Sequence, residues 1–464
     1  MTTSNAPAAR EQVLSTLNRD GSRRWIRPKL SKGRFWRRRL LVGWGLIALF
    51  TLLPVLRMNG KPLMLFDVPA REFTFFGATF LPTDTFLLML LLAAIFVGIF
   101  LVSAVLGRVW CGWACPQTVY MELVYRPLEV LVEGGRSRQQ RLDRQGPDAR
   151  RLVKHVLFLA VSAFLANTFL AYFVGWDRLL GWLVRPPTEH PAAFALMLGT
   201  TLLMFLDFGW FREQTCIVAC PYGRFQSVLL DRDSLIVGYD GRRGEPRARL
   251  TAGGQRTAGD CVDCGLCVST CPTGIDIRAG LQMECVHCTQ CIDACDAVMD
   301  RIGLARGLIR YSSQAELASG RGRFLRPRVL LYAALLAVML GALTVSLAAR
   351  ATADVTLLRG LGAPFTRLGS GEISNQLRVK IANRTGEERR YLLELVSPDG
   401  LGLVAPENPL PVGPGATEMT AAFVTAPADA FVAGEITITL RISDGVDFVE
   451  DRDYRLLGPS EGRP

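Results

Sequence analysis

Histidine is scarce in this 464-residue chain, which has only His155, His190 and His287. No two stand four residues apart, so an axial bis-histidine haem has no helical pair to build on. No Rossmann glycine pattern follows a strand and no Walker phosphate loop occurs. A resident nicotinamide cofactor is therefore excluded, and electrons must come from a partner or a quinol. Cysteine is missing after Cys295. Acidic residues are sparse in front: residues 1–350 carry 42 Lys and Arg against 26 Asp and Glu, whereas 351–464 carry 11 against 16. A basic front and an acidic tail imply two compartments, and basic arms beside apolar spans mean membrane topology rather than nucleic-acid binding.

Hydrophobic residues make up half of the chain. Five apolar segments approach the roughly 20 residues a helix needs to cross a bilayer: Leu40–Leu56, Phe86–Leu106, Leu152–Phe173, Ala192–Phe208 and Val329–Ala349. Segments 1–39, 107–151 and 209–328 carry 11, 8 and 16 Lys and Arg, against 3 and 2 in loops 57–85 and 174–191. By the positive-inside rule the first set is cytoplasmic, the N-terminus is inside and the C-terminal tail is outside. The basic run Arg23–Arg39 reads as an anchor for anionic lipid head groups. Ser22-Arg23-Arg24 is too far from an apolar segment, and lacks the cleavage site, to be an export signal. In the outer loop, Phe66–Gly77 is aromatic and amphipathic, an interfacial segment in which Asp67 and Arg71 could pair.

Eight of the twelve cysteines lie between Asp260 and Asp296. Cys261, Cys264, Cys267 and Cys271 read C-x2-C-x2-C-x3-C, followed by Pro272, and Cys285, Cys288, Cys291 and Cys295 repeat the run. This spacing holds two [4Fe-4S] clusters, three thiolates from one loop and the fourth from the other run. One cluster then takes Cys261, Cys264, Cys267 and Cys295, and the other Cys285, Cys288, Cys291 and Cys271. Structural zinc pairs are usually spaced further apart. Asp296 stands where a second proline is expected, which bears only on the local turn.

Two further pairs, Cys111/Cys115 and Cys216/Cys220, each read C-x3-C-P at the inner end of a span. The i, i+4 spacing predicts both thiols on one face of a helical turn that the proline then stops. Together the pairs would gather four soft thiolates, suited to Cu(I) or to a further cluster. The bland alternative is burial as small hydrophobes. His287, between two cluster ligands, is placed to tune the second cluster. Asp207, near the end of the fourth span, is either a proton or metal contact or a cap. Gly238–Gly254 reads as a linker. Beyond the fifth span, Gln376–Ala382 and Glu435–Ser443 alternate in the manner of strands, which predicts a small β-sandwich of immunoglobulin type.

The motifs Gly107–Thr118, Cys216–Gln226 and Asp260–Asp296, in this order, resemble the CcoG family, also called FixG or RdxA, the cytochrome c oxidase accessory proteins. The Phe66–Gly77 segment and the five-span layout with an outer β domain fit too, so the resemblance covers about Leu40 to the end. With the basic segment 1–39 placed in the cytoplasm by its charge alone, the resemblance implies a four-helix membrane region 40–212, a double-cluster ferredoxin domain 213–328, a fifth helix 329–349 and a periplasmic immunoglobulin-like domain 350–464. It also implies a bacterial inner-membrane cupric reductase supplying Cu(I) for the cbb3-type oxidase. The eight ferredoxin cysteines carry over as cluster ligands, and Cys111, Cys115, Cys216 and Cys220 as the motif pairs taken for the copper site. Expected partners are a cytoplasmic or quinol electron donor, copper chaperones or oxidase assembly factors, and membrane lipid, with a homodimer left open. Similar motifs occur in quinol dehydrogenases of the NapH and NosR kind, so a quinol dehydrogenase and a non-enzymatic assembly scaffold stand as alternatives.

Overall fold

The computed structural model describes residues 15–459, apart from 17–19, 21, 59–60, 69–71, 77, 81–83, 147 and 250–258. Two compact units emerge. The larger comprises Met1–Leu56, Leu65–Val68 and Leu88–Ala342, and the smaller Arg57–Met64, Pro69–Leu87 and Leu343–Pro464.

Among the described residues, four helices are long and apolar enough to cross a membrane: Thr85–Leu106, Ala149–Val174, Pro191–Phe211 and Pro327–Ala348. They match four of the five expected segments. Ala149–Val174 is the most enclosed of them; the others leave large side chains such as Phe96, Leu203 and Val338 exposed, as lipid-facing helices do. The remaining segment is displaced. Its helix runs Arg34–Leu52 and carries four arginines in its opening turns, so it does not meet the same standard of apolarity.

That displacement has a physical cause. The Gly33 N-cap has no side chain to accept the free N–H groups of the first turn. Asp293, on the helix Gln290–Arg301, accepts them instead: Phe35 N–H at 3.1 Å and Trp36 N–H at 2.7 Å. A carboxylate also complements the positive end of the helix dipole. A Cβ on Gly33 would collide with that carboxyl group, so glycine is required there.

Part of the basic arm turns inward, while Arg24, Lys29, Lys32, Arg34, Arg37 and Arg38 stay exposed. Arg27 and Arg39 are buried, and Arg27 pairs with Glu129 at 2.5 Å and Asp143 at 3.1 Å. Lys29 N–H donates to the Ser269 carbonyl, and Ser31 N–H to Gln290. These residues find protein acceptors that the sequence places far away. Asp67 pairs with Arg178 at 3.1 Å; its expected partner Arg71 lies outside the described residues. The aromatic segment around them forms short strands, Met64–Asp67 and Glu72–Phe75.

In the cluster domain, strand Ile236–Tyr239 pairs antiparallel with Ile309–Ser312, Ile236 opposite Ser312 and Tyr239 opposite Ile309. Val237, Ile275, Ile277, Ile292 and Ile309 form its small core. The expected linker thus begins inside a strand and continues into the short helix Gly241–Gly244; residues 250–254 lie outside the described residues. A four-residue strand closing on a distant partner leaves too little periodicity to be read.

The smaller unit holds the expected sandwich. One sheet runs Gly402–Val404, Thr417–Ala426, Ile373–Asn383, Ala353–Arg359, and the other Leu410–Val412, Arg389–Ser397, Glu435–Ser443, Val449–Leu457. Leu377, Val379, Ile381, Ile438, Leu440 and Ile442 fill the space between them, fully buried. Each such side chain contributes about 1.5–3 kcal/mol by leaving water.

Candidate functional site

The two cysteine runs fold alike. In the first loop Asp263 and Gly265 have φ of +48° and +66°; in the second His287 and Thr289 have +53° and +62°. These are the third and fifth positions of each C-x2-C-x2-C stretch, so both loops wind the same way. Left-handed residues of this kind turn backbone N–H groups into one concavity, which suits a negatively charged iron–sulfur–thiolate centre. Only Gly265 announces this in the sequence.

One small cavity is lined by Cys261, Cys264, Cys267 and Cys295 together with Tyr239, Val298, Met299 and Leu308. Another is lined by Cys271, Cys285, Cys288 and Cys291, with Cys267 also at its wall. The fourth cysteine of each run therefore reaches the cavity of the other run. Polar neighbours are Tyr239 and Arg278 at the first cavity and Thr273, His287 and Thr289 at the second, and thiols without a carboxylate are the donor set of a cubane. Among the described residues no three His, Cys, Asp or Glu side chains converge on a single metal ion. This holds for the eight ferredoxin cysteines and for the four motif cysteines alike. Burial pushes the Cys285, Cys288 and Cys295 thiols up to about 12, so cluster binding must discharge their protons. Cys264 is the exposed member of the eight.

The C-x3-C-P pairs differ from expectation. Cys111 sits in the short helix Val109–Trp113, but Cys115 lies beyond it, extended at φ −62°, ψ 125°, as N-cap of Pro116–Tyr120. Cys216 belongs to a π-turn, Thr215–Ala219, and Cys220 (φ −71°, ψ 111°) caps Pro221–Leu229. Each proline opens the following helix rather than closing the preceding one, because its missing N–H costs nothing at the first helical position. The two thiols of a pair consequently occupy consecutive elements.

The pairs nevertheless meet. Cys111 Sγ donates to Gln226 Oε1, on the helix after the second pair, at 3.2 Å. Burial, then the charges of Cys115, Cys111 and Cys220, raise Cys216 to about 12. Burial also raises Cys115, against backbone N–H groups of Thr118 and Gln117 that favour its thiolate. Gln117 Nε2 reaches both Asp207 Oδ1 at 3.2 Å and the Arg212 carbonyl at 3.1 Å. Asp207 also accepts from the Thr215 hydroxyl and starts the π-turn Asp207–Phe211, so it braces the strand of chain leading to Cys216. π-turns gather at functional sites.

The first pair lies against the second cluster loop. A Cβ on Gly112 would sit 2.5 Å from the carbonyl oxygens of Val286 and His287. Arg39 donates to the carbonyls of Gly112 and Cys288, each at 2.9 Å. Arg108 bridges the carbonyls of Met283 and Gly223. Trp113 Nε1 donates to Tyr311 Oη at 2.9 Å, and Tyr311 in turn to the His287 carbonyl at 3.2 Å. His287 is buried and both of its ring nitrogens lack hydrogen-bond partners among the described residues. His155 and His190 lie apart from these cysteines, on the helix Ala149–Val174 and before Pro191. Arg39, Arg108 and Tyr311 escaped the reading of the sequence; only Gly112, between two tryptophans and two cysteines, carried a local signal of close approach.

Three family models match the chain: a 4Fe-4S dicluster domain over residues 211–314, a 4Fe-4S binding domain over 88–135, and the IG-like fold at the C-terminus of FixG over 343–459. Protein RdxA of Cereibacter sphaeroides is 35% identical over 417 residues, 85% of this chain and 88% of that one. Nitrogen fixation protein FixG of Rhizobium meliloti is 33% identical over 418 residues, 80% and 79% of the two chains. The crystal structure of a FixG-related protein from Vibrio parahaemolyticus aligns with 24% of this chain and 98% of its own, at TM-score 0.21 and 18% identity. With cluster-binding loops, apolar helices long enough to span a bilayer and the likeness to RdxA and FixG in hand, the chain is a membrane-associated iron–sulfur electron-transfer protein that belongs to the FixG/RdxA family.

Proposed function

We propose that this protein reduces Cu(II) to Cu(I), with Cys111, Cys115, Cys216 and Cys220 as the copper site, and so supplies Cu(I) for assembly of a cbb3-type oxidase. The observation that carries the reading is the approach of the two C-x3-C-P pairs to each other, with Gly112 of the first packed directly on the Cys285–Cys291 loop. Cys261, Cys264, Cys267 and Cys295 would hold one [4Fe-4S] cluster, and Cys271, Cys285, Cys288 and Cys291 the other. When bound, these clusters supply one-electron transfer. The exposed Cys264 marks the face where a one-electron donor docks. Cu(II) gains one electron and the thiolates retain the product, since soft sulfur favours Cu(I). Thiols raised by burial release protons as metal binds.

The same reading makes Arg34–Leu52 the first of five spans in a bacterial inner membrane. The N-terminus and the clusters then face the cytoplasm, and residues 350–464 the periplasm. The excess of Lys and Arg in segments 1–39, 107–151 and 209–328 supports this orientation.

The test is anaerobic. Reduced protein is mixed with Cu(II) and a Cu(I) chelator, or with a quinone, while cluster absorbance and EPR are followed beside a variant carrying Ala at all four motif cysteines. Saturable Cu(I) production lost in the variant is expected. If copper oxidises both proteins alike while quinone turns over saturably, the copper reading fails and a quinol dehydrogenase replaces it.

A further inference from the structure

A cavity of about 390 Å3 lies between the start of helix Ala149–Val174 and the end of Pro191–Phe211, a size within the roughly 300–1,000 Å3 of ligand sites. Arg27, Arg151, Lys154 and Arg212 line it against one carboxylate, Asp143. Phe205, Leu206 and Trp210 form its apolar side. Behind the cations, Glu129 takes Arg27 at 2.5 Å and Arg212 at 3.1 Å, and Glu133 takes Lys154 at 2.6 Å. Over the whole connected network, the six cations Arg23, Arg27, Arg126, Arg151, Lys154 and Arg212 face the five carboxylates Glu122, Glu129, Glu133, Asp143 and Glu213, which leaves one positive charge in excess.

Arg212 is the unusual member. It is 3% exposed, adopts φ +54°, and its Nε–H has no hydrogen-bond acceptor among the described residues beyond a long ion pair to Glu213 at 3.7 Å. The Arg151 Nε–H lacks an acceptor as well. Trp25 lies 5.8 and 5.7 Å from the guanidinium carbons of Arg27 and Arg212. A buried guanidinium with an unused donor and a strained backbone calls for an acceptor from outside.

We propose that this cavity binds a phosphate-bearing anion, supplied by the headgroup of an anionic phospholipid whose acyl chains lie along Phe205, Leu206 and Trp210. A single negative charge matches the single positive excess, and guanidinium forks suit phosphate oxygens. Basic pockets between membrane helices are lipid-headgroup sites. Asp143 is already held by Arg27 at 3.1 Å and Arg151 at 3.0 Å, so no free carboxylate remains for the ammonium of a zwitterionic headgroup. Inorganic phosphate shares the recognised chemistry and is the competing source. The proposal does not depend on what the protein reduces.

The experiment uses the full-length, cluster-loaded protein in detergent. Phosphatidylglycerol, phosphatidylcholine and inorganic phosphate are each titrated and followed by native mass spectrometry. Arg151→Glu, at the half-exposed rim, is the test variant, with cluster absorbance confirming that it is intact. Phosphatidylglycerol should bind at least about tenfold tighter than phosphatidylcholine, and the variant should lose about tenfold, the worth of one charge-assisted contact. Binding of inorganic phosphate, weakened in the variant and without preference between the lipids, would support the anion site with a soluble source. Equal lipid affinities and no phosphate binding would overturn the proposal. Should the variant not fold, the wild-type comparison of the three probes decides alone.

Discussion

The Arg39 guanidinium donates from Nη1 to the Cys288 carbonyl at 2.9 Å, and from Nε to Gly112 at the same distance. One buried side chain on the helix Arg34–Leu52 thereby joins the second cluster loop to the first C-x3-C-P pair. Hydrogen bonds from a charged donor are worth about 1.5–3 kcal/mol each. Arg39→Met should destabilise the protein by about 3 kcal/mol or more and lower its iron content, read as thermal midpoint and iron-to-protein ratio. Arg39→Lys should fall between, because one ammonium does not reproduce the planar fork. An unchanged melt and iron content in Arg39→Met would show the bridge to be incidental.

Gly112 sets how closely the motif approaches the cluster loop. With a Cβ 2.5 Å from two backbone carbonyls, Gly112→Ala must push the elements apart, at about 1–3 kcal/mol for overpacking. The rate at which Cu(II) reoxidises the reduced clusters should fall together with the melting midpoint. Wild-type kinetics in this variant would mean that the contact does not matter for transfer.

The proposed crossed ligation makes the fourth cysteines diagnostic. Cys271 lies at the wall with Cys285, Cys288 and Cys291, and Cys295 with Cys261, Cys264 and Cys267. Cys271→Ser and Cys295→Ser should each disturb one EPR signal, and not the same one. Pairing each with Cys264→Ser separates the assignments. Cys295→Ser and Cys264→Ser should affect the same signal, whereas ligation within each run would give Cys271→Ser that role.

The sandwich should show an acid limit through Asp444. Burial would raise this carboxyl, but backbone N–H groups of Val446, Phe448 and Asp447 outweigh it and hold it below its ordinary value. A lowered carboxylate pKa stabilises above the unfolded value of about 3.9, and the contribution is lost as pH falls through the folded value. In the full chain, hydrogen-exchange protection of strands Glu435–Ser443 and Val449–Leu457 should weaken below about pH 4. Asp444→Asn should lower protection at neutral pH by about 1 kcal/mol and flatten the acid dependence. If the two proteins lose protection in parallel, Asp444 is not the titrating group.

Cysteine spacing, span composition and the alternation at Gln376–Ala382 and Glu435–Ser443 were legible because each is local. Loop winding, membrane length and a sheet's two faces repeat over a few residues. By its own order the chain therefore determined iron–sulfur loops, apolar helices and a sandwich. It did not reveal that Pro116 and Pro221 begin helices, since a proline is compatible with either end of one until neighbouring backbone is placed. Nor did it show Asp293 capping a helix that starts at Arg34, or Arg27 and Arg39 turning inward. Those partners stand more than a hundred residues away in the chain. Only the tertiary structure, by bringing buried acceptors to these donors, decided that Arg27 and Arg39 of the basic arm turn inward and tie it to the helix Arg126–Glu133 and the second cluster loop.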